Sequence, residues 1–452
     1  MPDKPIRNVM VLIADDWSPL ARCYGDTVVQ TPHIDRFAER ATVFDRAFCV
    51  SPSCAVSRAS LLTGLYPHTH GQYGHCHGIH GFRTHETVRT LPAVVGEHGV
   101  RSAVIGKTHI APESIYPFDI FGGASNSRPH DQADLARKWL GEIGDAPFYL
   151  QLASGYPHRG GDESGWNLSR NGDQFEDEPT YDPAEVPVPD FLPDHPAVRR
   201  DLAGYYRAVS RFDAFVGRQL EMLEASGRAD ETLVVITSDH AMPFPGAKAS
   251  SFDTGHRCPL LIGRPGGADT LHCDALVNWC DLTTTFYEAL GVAPGDRPDE
   301  LAGRSLLPIL DQPSPDDWDR TFFSHCFHEV TNYFPYRVLR TRRFKYVRNL
   351  ACELPMPIPS DLYRSPTWRA VREEGLEMMG GRPTRRTLRH DAEALFDVRA
   401  DPLETTNLAG DPAYGETLAT MRREVVDWRR ATRDPWLEVD YQQGLIDAND
   451  VL

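Results

Sequence analysis

Asn8-Val9-Met10-Val11-Leu12-Ile13-Ala14-Asp15-Asp16 decides how the rest of this chain reads. Residues 9–13 are apolar without a break, so they present no polar face. A strand with one side in water alternates; this one is expected to be covered on both sides. Two carboxylates stand at its C-terminal end. Residues 100–105, 148–152, 233–236 and 259–262 repeat the pattern less cleanly. Helical stretches separate them. The clearest sets Leu202, Tyr205, Val209, Phe212, Val216, Leu220 and Leu223 on one face at spacings of three and four. Such alternation predicts an α/β fold, a large mostly parallel sheet sandwiched by helices.

The 452 residues exceed one ordinary core, and the pattern changes after about residue 310. Residues 338–347 and 394–398 read as short antiparallel strands and 414–432 as a closing helix. The expected division is therefore a catalytic domain over 1–315 and a smaller C-terminal α+β domain with an antiparallel sheet over 316–452. Residues 160–196 are rich in Pro, Gly, Asp and Glu without periodicity, and read as a long surface loop over one sheet edge.

A net charge of −17 argues against nucleic acid or an anionic membrane as partner, while leaving room for an anion in a locally positive site. The apolar run near the N-terminus is too short for a signal segment, and no stretch approaches the roughly 20 apolar residues of a membrane span. A cytoplasmic location without membrane association is the expectation. The nine scattered cysteines, an odd number, read as mostly reduced, with room for one special thiol.

In open parallel sheets ligands bind beyond the carboxyl ends of the strands. Each run delivers ionisable residues there: Asp15 and Asp16, then Lys107 and His109, then His158, then Asp239 and His240. Three carboxylates converging without a cation would repel one another, and a divalent metal resolves this. Oxygen-rich ligation suits Ca²⁺ or Mg²⁺, and one imidazole also admits Mn²⁺ or Zn²⁺. Elsewhere, Pro52-Ser53 precede Cys54, and Gly64 follows ten residues that read as a helix. Cys54 then sits at the helix N-terminus, where free amides favour an anion, with Arg58 one turn on. Nucleophile, amides and guanidinium together make a seat for a sulfate or phosphate oxyanion.

The segment from Cys54 through Ser57-Arg58 to Thr63-Gly64 resembles the signature of the sulfatase family, part of the alkaline-phosphatase-like superfamily. Lys107-x-His109, Pro157-His158, Asp239-His240, Lys248 and the run Asp401-Pro402-x-Glu404-x-x-Asn407-Leu408 fall in the family's order. Within it the chain is most similar to the sulfamidases (N-sulfoglucosamine sulfohydrolases), through Tyr116-Pro117-Phe118-Asp119, Pro243-Phe244-Pro245, His328-Glu329-Val330-Thr331, Tyr363-x-Ser365-Pro366-Thr367 and Asp434-Pro435-Trp436. The resemblance covers about residues 8–436. It implies hydrolysis of a sulfate ester or sulfamate on a small sulfated substrate, expected to be an amino sugar. Cys54 would be converted to formylglycine by a formylglycine-generating enzyme, and the hydrate attacks sulfur. Asp15, Asp16, Asp239, His240 and modified Cys54 would bind the metal, Ca²⁺ by preference. Arg58 and Lys107 would polarise the nucleophile. His109 would act as the base that releases sulfate. His158 and Lys248 would bind the sulfuryl group and protonate the leaving atom. His77, His80, His328 and Glu329 are candidates for the substrate pocket.

Three positions depart from the pattern. Val56 stands where the maturation motif has proline, His240 where sulfamidases have asparagine, and Gly155-Tyr156 where they have His-Asp. A phosphodiesterase or phosphonate monoester hydrolase on the same scaffold is the alternative reading, since a phosphoryl centre would use the same groups. Self-association into a homo-oligomer is compatible with either. The histidine-rich stretch of His68, His70, His75, His77, His80 and His85 invites a zinc reading, but its spacing matches no standard site.

Overall fold

The computed structural model describes residues 5–161, 165–169, 174–175, 177–267 and 269–438. Nine strands form the main sheet: β1 (Asn8–Ala14), β2 (Thr42–Phe48), β3 (Arg101–Gly106), β4 (Ile120–Gly122), β5 (Phe148–Ala153), β6 (Thr232–Ser238), β7 (Arg257–Cys258), β8 (Leu260–Gly263) and β9 (Leu271–Asn278). β1 lies inside the sheet, parallel to β5 on one side and to β6 on the other. Every β1 residue is buried, which is why its sequence has no polar face. β3 and β4 extend the parallel region beyond β5. On the other side the sheet becomes mixed: β8 runs antiparallel to β6, and β2 antiparallel to β8 and β7 but parallel to β9.

β2 and β9 lack the unbroken apolar pattern. Asp45 and Arg46 interrupt β2 on its partly exposed stretch, and His272 and Asp274 interrupt β9. Asp45 and His272 pair across the two strands, Oδ1 to Nδ1, at 2.9 Å. Polar residues here mark the sheet's periphery.

The 30-residue helix Pro196–Ala225 carries the expected apolar stripe, with Leu202, Tyr205, Val209, Phe212, Val216 and Leu223 buried. Residues 160–196 run mostly at the surface where described, as expected of a loop, but they are anchored by side chains not expected in the core. Where described they are irregular, but Trp166, Leu168, Phe175, Val186, Phe191 and Leu192 are buried in one cluster with Tyr205 and Phe212. Trp166 stacks on Phe244, and the Arg159 guanidinium lies 4.3 Å from the Trp166 ring centre. Aromatic side chains inserted at irregular spacing carry no periodic signal.

The chain then builds a four-stranded antiparallel sheet from β10 (Arg320–Phe327), β11 (Tyr333–Thr341), β12 (Phe344–Asn349) and, after the short ribbon β13 (Met378–Met379) and β14 (Arg382–Pro383), β15 (Glu393–Asp397). The helix Gly415–Ala431 closes it. Leu339, Tyr346, Leu395, Met421 and Val425 belong to the same buried cluster as Val9 and Val11, so the two sheets share packing. No described helix is long and apolar enough to cross a membrane.

Candidate active site

The helix Cys54–Thr63 is buried along its whole length. Ser53 precedes it in extended conformation. Gly64 ends it at φ 71°, its N–H bonded to the Ser60 carbonyl at 2.9 Å. A Cβ on Gly64 would lie 2.5 Å from Leu301 Cδ2, so both backbone and space require glycine. The first turn faces the ends of β1 and β6. Cys54 Sγ lies 3.1 Å from His240 Nε2 and 4.0 Å from Asp16 Oδ1. The Ser57 hydroxyl donates to the Asp239 carbonyl.

Neither Asp15-Asp16 nor Asp239-His240 starts a helix; both turn inward. The backbone N–H groups of Asp16 and His240 both donate to Asp239 Oδ1, at 3.0 and 2.9 Å. Asp15, Asp16 and Asp239 are essentially without solvent contact. Burying charge at this density demands partners. Fully buried Arg58 donates Nε to Asp239 Oδ2 at 3.0 Å, and its outer nitrogen lies 3.6 Å from Asp15. Lys107 Nζ bonds Asp15 Oδ2. Lys248 Nζ bonds Asp16 Oδ2 and Asp361 Oδ2, each at 2.9 Å, and lies 3.3 Å from His158 Nε2. His240 Nε2 lies 2.9 Å from Asp16 Oδ1.

The local field follows from these contacts. Burial alone would raise Asp15 and Asp16, but Lys107 and His158 around the first, and Lys248, His158 and His240 around the second, hold both well below the usual carboxylate range. Burial likewise opposes ionisation of the Cys54 thiol, and Lys107, Lys248 and His240 overcome it and lower its pKa. Burial and Lys248 disfavour a proton on His158; Asp16 and Asp15 outweigh them and raise it to about 9. Burial, joined by Lys107, keeps His109 well below an ordinary histidine. The site is thus poised for an anion, with His158 and His240, both held high against burial by neighbouring carboxylates, protonated and His109 neutral.

Ligand atoms of Asp15, Asp16, Cys54 and His158, and of Cys54, Asp239 and His240, converge within 4.8 Å. Asp15 Oδ1 is buried and accepts no hydrogen bond among the described residues. An orphaned carboxylate oxygen beside two further carboxylates matches the donor chemistry of a hard divalent cation.

Above this floor a cleft of about 580 Å³ is lined by Cys54, Lys107, His109, His158, Lys248 and His328, with His77, Glu329 and Asp361 at its sides. His80 is not among the lining residues; its Nδ1 accepts the Val330 N–H at 3.2 Å. Sequence reasoning missed Asp361, at the start of the short helix Ser360–Tyr363. It meets Lys248 across 113 positions, a separation no local pattern reveals. The only signal was its place just before the Tyr363–Thr367 motif.

The family profile described as Sulfatase matches residues 7–292. Human N-sulphoglucosamine sulphohydrolase is 36% identical over 95% of this chain and 91% of its own length. This chain belongs to the sulfatase family. An ulvan-active sulfatase of Formosa agariphila is 26% identical over 96% of this sulfatase and 76% of its own length. Among solved structures, an enzyme in complex with its substrate D-glucosamine-2-N,6-O-disulfate superposes with TM-score 0.66 at 20% identity, covering 95% of this sulfatase and 99% of that chain. The phosphonate monoester hydrolase of Agrobacterium radiobacter gives TM-score 0.66 at 20% identity, covering 96% and 97%. At these identities the two structures establish a shared fold. The sulfatase is a hydrolase of sulfamidase-like type.

Proposed function

We propose that this sulfatase releases sulfate from a sulfated amino sugar, as sulfamate or sulfate ester, using formylglycine at residue 54 and one divalent cation, Ca²⁺ by preference. The observation that carries the proposal is the position of Cys54 Sγ, on the cleft floor, 3.1 Å from His240 and inside the ring of Arg58, Lys107 and Lys248. The extent of likeness to human N-sulphoglucosamine sulphohydrolase supports the substrate class. Asp15, Asp16, Asp239, His240 and modified Cys54 would hold the cation. When bound, the cation polarises a sulfuryl oxygen and the aldehyde hydrate supplies an oxygen nucleophile.

The chain's own groups have distinct work. Arg58, anchored on Asp239, and Lys107, anchored on Asp15, stabilise negative charge developing at residue 54. Neutral His109 takes a proton there as sulfate departs. Lys248 and protonated His158 grip the sulfuryl oxygens, and His158 hands its proton to the leaving nitrogen or oxygen. Asp361 holds Lys248 from the opposite side, so residues 316–452, taken as the smaller domain, complete a site that residues 1–315 begin. His77, His328 and Glu329 face the sugar, and His80 meets only a substrate that extends past the cleft.

Maturation requires a formylglycine-generating enzyme that accepts Val56 in its motif. Hydrolysis of phosphodiesters or phosphonate monoesters is the second reading, favoured by the likeness in fold to the Agrobacterium enzyme. Side-by-side turnover of glucosamine N-sulfate, aryl sulfates and aryl phosphodiesters separates the two; reaction with phosphoesters alone overturns the first. The mass of the peptide carrying residue 54 tests the nucleophile, and an intact thiol in a chain that turns over substrate rules formylglycine out.

A further inference from the structure

The histidine-rich stretch is only half of a constellation. His75 and His77 lie between the helices Pro67–His70 and Leu91–Glu97, and their third partner, His109, follows β3. Ligand nitrogens of the three rings lie within 4.8 Å of one another. His77 Nδ1 is 2.6 Å from His109 Nε2. The His75 ring stacks on His109 at 4.6 Å between centres and lies 5.2 Å from His77. His328 steadies His75 from behind, Nε2 to Nε2 at 3.1 Å, while its own Nδ1 meets Ser53 Oγ at 3.0 Å.

Two of these rings are unsatisfied. His75 is 6% exposed, and Nδ1 of His75 and Nδ1 of His109 are buried without a hydrogen-bond partner among the described residues. Burial holds both rings neutral, with lone pairs available. His77 is exposed, so the cluster opens to solvent. Three neutral imidazoles without a carboxylate are a donor set for a borderline transition ion, as the carboxylates below are for a hard one. Zn–N bonds of about 2.05 Å at tetrahedral angles place nitrogens roughly 3.3 Å apart, so the stacked His75 and His109 rings turn when the three share an ion.

We propose that His75, His77 and His109 form a second metal site, which takes Zn²⁺ or a similar ion at the cleft mouth and silences hydrolysis by engaging His109. The metal site stands on geometry alone; its inhibitory effect rests on the function proposed above.

The test uses full-length protein saturated with Ca²⁺, so that the carboxylates are occupied. Zinc chloride is titrated by calorimetry, and cobalt chloride by its visible absorption as a tetrahedral complex. One further ion is expected to bind per chain. Uptake is lost in H77A and in H75A, whose folding is checked by melting, and is retained in H272A, which alters an exposed histidine elsewhere. Turnover of a sulfated sugar falls in step with zinc uptake and returns with a zinc-selective chelator. No uptake, uptake surviving both histidine variants, or uptake lost only in D239N overturns the site. Zinc binding as described in a chain that hydrolyses no sulfated sugar refutes the hydrolase reading and leaves the metal site standing.

Discussion

Replacing Arg58 with methionine tests how the buried charges are balanced. The substitution keeps an apolar stem and removes the guanidinium. In the native chain that group lies 2.9 Å from Asp239 Oδ2 and 3.6 Å from Asp15 Oδ1, with no solvent contact. At an effective dielectric of about 20, these separations correspond to roughly 6 and 5 kcal/mol of gross attraction. Desolvation of the guanidinium offsets much of that, and breaking a buried pair from one side costs about 3–5 kcal/mol. An unfolding entropy of about 2.1 cal/mol/K per residue, over 452 residues melting as one unit, converts this to a Tm drop of about 3–5 °C. The assay is thermal melting with EDTA and again with saturating Ca²⁺. The full drop is expected in EDTA. Ca²⁺ should narrow it, because a cation held by Asp15 and Asp239 replaces the lost charge and binds the variant more tightly. An unchanged Tm in EDTA, or a deficit that Ca²⁺ does not reduce, would refute the reasoning.

Four further outcomes are expected. Lys248→Ala removes the cation shared by Asp16 and Asp361; steady-state kinetics on glucosamine N-sulfate should show kcat reduced roughly 100- to 10,000-fold. Asp361→Asn keeps an acceptor but loses charge, so kcat should fall about 10- to 100-fold with KM little changed, as for a group acting through Lys248. Gly64→Ala imposes a side chain on a left-handed residue against Leu301, and denaturant unfolding should show a loss of about 1–3 kcal/mol. Asp434 sits between Arg337 and Arg429; burial would raise its pKa, but Arg337, His68 and Arg429 hold it well below the ordinary value. A depressed carboxylate stabilises above its unfolded pKa, so the stability gap between wild type and Asp434→Asn should be full near neutrality and shrink below about pH 4.

β1, β3, β5 and β6 were legible because they are buried on both faces, and burial writes a largely apolar run; the three half-buried residues of β4 were not. β2 and β9 were not, since Asp45 and His272 face each other at the periphery and break that signal. The carboxylates and imidazoles at strand ends were legible because topology alone sends them to one place. Asp361 and the meeting of His75 with His109 were not: both depend on how remote loops fold back over the strand ends. Gly64 was readable as a helix stop, whereas the close approach of Leu301 lies in tertiary packing.

The burial of Cys54 also sets a schedule. In the folded chain the thiol is 1% exposed, enclosed by a helix that is itself buried and by His240, 186 positions later in the chain. In the proposed conversion to formylglycine, an oxidising enzyme too large for the cleft reaches this thiol only before the later strands arrive. At about 5–20 residues per second of synthesis, those positions take roughly 10–40 s to emerge. In the proposed maturation, folding and oxidation compete for the same side chain. Faster synthesis or scarce oxidising enzyme then yields well-folded molecules whose thiol is sealed in unconverted. Specific activity would vary with the expression host while the fold stays the same.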